Sequence, residues 1–167
     1  HHTSDPYGGF RHLVRVTRPG GFLVIGLYNK YGRLMLHVRR RVVRWQMRFD
    51  PKARDRALEK QLVKLENDSE KRRTWWADQY EHPHESVHTV DEVLDWFGRN
   101  GVTYVSSFPR AELFSSSDFD KIFKPRRPGR LSGSRLAHLL VQLGWIVTQN
   151  AGGGYYVMVG QRTGSSA

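Results

Sequence analysis

The apolar positions change their period several times along the chain, and each change marks an element. Phe10, Leu13, Val14 and Thr17 recur at helical spacing behind Asp5-Pro6. That pair sets a side chain able to cap before a residue that needs no hydrogen bond in the first turn. A helix is predicted to start there and to end at Pro19-Gly20-Gly21, which turns the chain. Phe22-Leu23-Val24-Ile25-Gly26-Leu27-Tyr28 is then apolar for both faces of a strand and rich in branched residues, the pattern of an interior strand in a helix-covered sheet.

From Lys30 to about Arg73 the period is helical and the polar positions are heavily charged. Leu34, Val38, Val42 and Trp45 share one face of a first helix, Leu58, Leu62 and Leu65 one face of a second, and Asp50-Pro51 separates them. The pattern predicts a helical insert over residues 30–88 whose apolar faces pack on the rest of the protein. A place for the first helix on a membrane surface is the other reading. Thr89-Val90-Asp91-Glu92 has the spacing of a capping box, so a helix is predicted from Val90, with Val93, Leu94, Trp96 and Phe97 on its buried face. Asn100-Gly101 ends it and Val102 to Ser107 reads as a strand. Residues 108–133 form a Ser-, Pro- and Arg-rich excursion, expected to be mobile over Pro125 to Gly133. A helix from Ser134 to about Thr148, the triplet Gly152-Gly153-Gly154 and a strand from Tyr155 to Gln161 follow. No internal repeat is present.

At 167 residues the chain fits a single domain, 1–167. Its longest apolar run is far shorter than the roughly 20 residues that cross a membrane. No secretory leader is legible, and a cytoplasmic location is expected. Cysteine is absent, which excludes thiolate nucleophiles and disulfides. The net charge of +11 is uneven: Lys30 to Arg56 holds ten Lys or Arg against two Asp, and Lys124 to Arg135 holds five with no acid. Such stretches either attract a polyanion, nucleic acid or anionic lipid, or simply keep the protein solvated.

His1-His2-Thr3-Ser4-Asp5-Pro6, a dozen helical residues, Pro19-Gly20-Gly21 and an apolar strand together resemble the middle of the class I, Rossmann-like S-adenosylmethionine-dependent methyltransferases. The likeness covers residues 1–29, 89–107 and the last strand. It implies an α/β fold with a partial methyltransferase sheet of three strands, the last antiparallel between the other two. It also implies an exposed edge on the first of them, where a preceding strand would pair and a homo-oligomer could form. The family's Gly-x-Gly-x-Gly loop and its acidic partner are missing. The chain is therefore expected to be the C-terminal, acceptor-side portion of such an enzyme, inactive alone, with only His1 and His2 left of the S-adenosylmethionine pocket. The other reading of His1 and His2 is the remnant of a purification tag.

His84-Glu85-Ser86-Val87-His88 spells a zinc-protease signature, but it stands between Pro83 and the capping box, not on a helix, and no third ligand follows, so no metal site is expected. Ligands of open parallel sheets bind beyond the carboxyl ends of the strands. Tyr28 and Asn29 lie at such an end, and Asp78, Tyr80, His84, Glu85 and His88 lead into the next helix from the same rim. These residues are candidates for the acceptor pocket, with His84 or His88 as the base. Tyr31 and Arg33 are further substrate-binding candidates, since an arginine offers paired donors to an anion. The acceptor is a small molecule or RNA on this reading. A nucleic-acid-binding module built on Lys30 to Arg56, or a non-catalytic association domain, are the alternatives.

Overall fold

A computed structural model describes residues 3–50, 52, 56, 70, 85–113, 128–148 and 154–164. The chain divides into two compact units, His1–Arg33 with Ser86–Ala167, and Leu34–Glu85.

In the first unit α1 (Pro6–Val16) begins as its sequence dictates. Asp5 accepts the Gly8 N–H on Oδ1 at 2.8 Å, and Pro6 takes the first turn, where no N–H is needed. Phe10 and Val14 are its buried stripe. At the far end the Arg162 guanidinium donates to the carbonyls of Val14, Arg15 and Thr17, a cation placed on the negative pole of the helix. The Pro19-Gly20-Gly21 turn is clamped to the same arginine's backbone: Gly20 donates to the Arg162 carbonyl at 2.8 Å, and Arg162 donates back to Gly21 at 2.9 Å.

The turn delivers β1 (Phe22–Asn29). After the second unit come β2 (Val87–His88), α3 (Val90–Arg99), β3 (Val102–Phe108), α4 (Arg135–Thr148) and β4 (Tyr155–Arg162). The sheet is mixed and ordered β2-β1-β4-β3. β4 runs antiparallel to both β1 and β3 along their length, and β2 runs parallel to β1. The expected trio with an antiparallel middle strand is present, but the sheet has four strands, not three. Val87 and His88 pair with Tyr28 and Asn29, so the carboxyl end of β1's outer edge is occupied. Two residues carry no periodicity, and only the tertiary pairing makes them a strand.

The core lies on one face of this sheet. Leu23 and Leu27 of β1, Tyr156 and Met158 of β4 and Val102 of β3 meet Phe10 and Val14 of α1, Val93 and Phe97 of α3 and Trp145 of α4. Each such side chain contributes about 1.5–3 kcal/mol when fully enclosed. Gly160 is small by necessity, since a Cβ there would meet Val102 Cγ1 at 2.4 Å and Phe97 Cε2 at 2.8 Å. The opposite face carries a smaller cluster of Val105, Val157 and Val159 with Phe108. That face corrects one expectation: Phe22 is 59% and Val24 49% exposed, so the first half of β1 is not enclosed on both sides. The end of the 108–133 excursion differs from expectation as well. Gly129 pairs with Tyr104 and Leu131 is buried, which ties residues 128–131 to β3.

In the second unit α2 (Leu34–Gln46) is described together with the turn to Phe49. Its buried residues are Leu36 and Val43, and Arg40 bonds Glu85 at 2.8 Å. Leu34, Val38, Val42 and Trp45 do share a face, but that face is exposed and not packed as expected. Periodicity defines a stripe without saying what the stripe meets. The second helix expected around Leu58, Leu62 and Leu65 lies outside the described residues.

Candidate functional site

The carboxyl end of β1 is organised by a buried polar network. Asn29 ends the strand, and its Oδ1 accepts the N–H groups of Tyr31 and Gly32, both at 3.0 Å, which fixes the turn that follows. Its Nδ2 donates to Gln142 Oε1 of α4 at 2.8 Å. Gln142 Oε1 also accepts the Val90 N–H at 2.9 Å, an orphan donor of α3's first turn. A single amide pair thus joins the end of β1, the start of α3 and the middle of α4. Both side chains are enclosed, so every partner is needed to offset their desolvation.

Two glycines let the rim close. Gly154 stands at φ +77° and its carbonyl accepts the Asn29 N–H at 2.8 Å. An added Cβ would sit 2.6 Å from Gly32 C and 2.7 Å from Arg33 N, so the loops after β1 and before β4 touch backbone to backbone. Arg33 is fully enclosed, with its guanidinium carbon 3.5 Å from the centre of the Tyr28 ring, a cation stacked on an aromatic face. Tyr155 meets that ring edge-on at 5.9 Å.

His88 stands at the same rim, paired with Asn29 across β1 and β2. Thr89 caps α3 as expected, accepting the Glu92 N–H at 3.2 Å. The Glu92 carboxylate binds His88 Nδ1 at 2.9 Å instead of completing a capping box. A carboxylate accepts, so Nδ1 carries the proton. Nε2 is buried and has no hydrogen-bond partner among the described residues. The ring stands edge-to-face with Trp96 at 4.8 Å. The backbone carbonyl of His88 is held by Lys30 N–H at 3.2 Å and the Tyr156 hydroxyl at 3.3 Å.

Of the candidates, Tyr28, Asn29, Tyr31, Arg33 and His88 meet at this rim, while Glu85 pairs with Arg40 in the other unit. Asp78, Tyr80, His84, His1 and His2 lie outside the described residues. The zinc-like signature ends in extended backbone at Val87–His88, and among the described residues no group of three potential ligands gathers. Sequence reasoning did not find Gln142 or Gly154, because their roles depend on partners far away in the chain, and it missed the role of Glu92 because the capping-box spacing points that side chain at Thr89 and not at His88, four residues back. A second histidine, His138 of α4, binds Asp91 through Nδ1 at 2.8 Å and the Ser132 carbonyl through Nε2 at 3.2 Å. Next to it an open groove of about 740 Å³ runs between α3 and β3, lined by Leu94, Asp95, Val102, Tyr104 and Arg130 among others. Its carboxylates are answered locally, Asp95 by Arg135 at 3.6 Å and Asp91 by His138.

Burial pushes the Tyr156 phenol well above its ordinary range, and the Glu92 carboxylate adds to the effect. Burial also raises Tyr104 to about 12, against the opposing hydrogen bond with Ser107. An unfolded tyrosine titrates near about 10. Between about pH 10 and 12 the folded chain therefore holds protons that the unfolded chain has released. Stability is full below that window and falls through it, by about 2–3 kcal/mol from Tyr104 alone. Phenolate absorbance should rise for these two residues only as the helical circular dichroism is lost. Ionisation of every tyrosine with the dichroism unchanged would contradict the burial.

No protein-family model matches the chain, and no curated protein matches it.

Proposed function

We propose that this chain forms the C-terminal, acceptor-side portion of an S-adenosylmethionine-dependent methyltransferase, a transferase acting on a small-molecule or RNA acceptor. One observation carries the reading: β4 lies antiparallel between β1 and β3, with α1 and the Pro-Gly-Gly turn leading into β1 and α3 leading into β3. This is the order in which the resembled family closes its sheet.

On this reading His88 serves as the base, at the carboxyl rim where open sheets take ligands. Glu92 fixes the tautomer and turns Nε2 into the acceptor. A buried nitrogen without a partner costs about 1–3 kcal/mol, a burden that a bound acceptor's hydroxyl or N–H would relieve. Asn29 and Arg33, expected to bind the acceptor, are enclosed, and Asn29 spends its side chain on the turn and on Gln142, so on this reading they shape the rim and do not touch the acceptor. The cofactor supplies the methyl group, and its loop would come from residues outside 1–167.

Calorimetric titration of this chain with S-adenosylmethionine is expected to give no micromolar binding. The same chain continued upstream through a strand and a Gly-x-Gly-x-Gly loop is expected to bind in the micromolar range. Micromolar binding by the chain alone, or none by the longer polypeptide, would overturn the proposal.

A further inference from the structure

Among the described residues, the most conspicuous exposed apolar surface lies on α2. Met35, Val38, Val42, Trp45 and Phe49 recur at steps of three, four, three and four, which aligns them along one side of the helix and the turn after it. Val38 is 47%, Val42 46%, Trp45 62% and Phe49 76% exposed, and the rings of Trp45 and Phe49 touch edge-to-face at 5.4 Å. This is not a core face caught at its margin, because the helix already buries another side through Leu36 and Val43.

The cations are placed around that stripe. At 100° per residue Arg41 and Arg48 fall along one edge and Arg39 along the other, with Arg44 further round. All four are exposed, and none makes an ion pair among the described residues. From Leu34 to Phe49 there is no acidic residue. An apolar strip containing Trp and Phe, edged by arginine and free of negative charge, matches a bilayer interface that is apolar below and anionic at its headgroups.

We propose that α2 is a membrane-surface element that lays Met35, Val38, Val42, Trp45 and Phe49 into the headgroup boundary of an anionic bilayer while its arginines hold lipid phosphates. Among the described residues no helix is long and apolar enough to cross a membrane, so the contact is with one leaflet. A nucleic acid would use the arginines but leave five large apolar side chains in water. A second copy of this chain would bring two sets of unpaired arginines together.

The test is co-sedimentation of the 167-residue chain with vesicles of equimolar phosphatidylglycerol and phosphatidylcholine, compared with phosphatidylcholine alone. Binding is expected to the anionic vesicles and to be much weaker to the neutral ones. Val42→Ser with Trp45→Ser should lower partitioning about tenfold or more. Arg41→Gln with Arg48→Gln should lower it about 25-fold, at about fivefold for each cation lost. All four side chains are exposed, so thermal unfolding of both variants should match the parent, and either variant alone suffices as a readout. Failure to sediment with anionic vesicles, or sedimentation unchanged in either variant, would overturn the proposal. So would a dimer that the serine pair dissolves while vesicles are ignored, or binding to poly-uridine RNA that the serine pair leaves intact while vesicles are ignored.

Discussion

Gly154→Ala is expected to destabilise the fold by about 4 kcal/mol and to lower the melting temperature by about 10 °C. Two effects add. The residue stands at φ +77°, where an L side chain is strained by about 1–3 kcal/mol. The new methyl carbon would also lie 2.6 Å from Gly32 C and 2.7 Å from Arg33 N, backbone atoms that cannot swing aside as a side chain could. Relieving the clash means separating the loops on either side of the rim, which removes the Asn29 N–H to Gly154 carbonyl bond. Gly26→Ala is the informative contrast. There a Cβ meets the Tyr155 hydroxyl, the far end of a side chain that can rotate away, so a smaller loss is expected. Urea unfolding of both variants measures the difference, and equal losses would show that the Gly32–Gly154 approach is looser than described.

Asn29→Ala is expected to cost about 3–4 kcal/mol, although it removes few atoms. The Tyr31 and Gly32 N–H groups lose their acceptor, and Gln142 Oε1 loses one of its two donors. Each orphaned buried group costs about 1–3 kcal/mol, while Gln142 keeps Val90 and so softens the third loss. Asn29→Asp should not rescue the fold. Its second oxygen would face Gln142 Oε1, acceptor against acceptor, and its charge would be enclosed. A double-mutant cycle with Gln142→Ala should return a coupling of about 1–2 kcal/mol. Additive losses would mean that the amide pair does not join β1 to α4.

Local chemistry made much of this fold legible, and long-range partners account for the rest. The Asp5-Pro6 start, the Thr89 cap, the Asn100-Gly101 stop and the limits of β3, α4 and β4 follow from rules that act within four residues, and the structure places them within a residue or so of expectation. The same rules misassigned the Glu92 side chain. The spacing alone sends it back to the Thr89 N–H, yet the adjacent imidazole of His88 is the partner it binds. β2 was invisible because two residues hold no period. The α2 stripe was legible as a stripe, but its exposure depends on which other side of the helix finds a core, and that side is Leu36 and Val43. Within the site, Tyr28, Asn29 and His88 could be placed at one rim by the rule for strand ends. Gln142 lies 113 residues from Asn29, and no local signal marks a glutamine on an apolar helix as the partner of a strand-end asparagine.

The reading of the β1 rim turns on His88, whose buried Nε2 must be bare if it is to take a proton. Long-range proton–nitrogen NMR spectra at mildly alkaline pH report this directly. The Glu92 contact predicts a protonated Nδ1 and an unprotonated Nε2, both altered by Glu92→Gln. A proton resident on Nε2 of the parent chain, with Nδ1 bare, would contradict the assignment of His88 as the base.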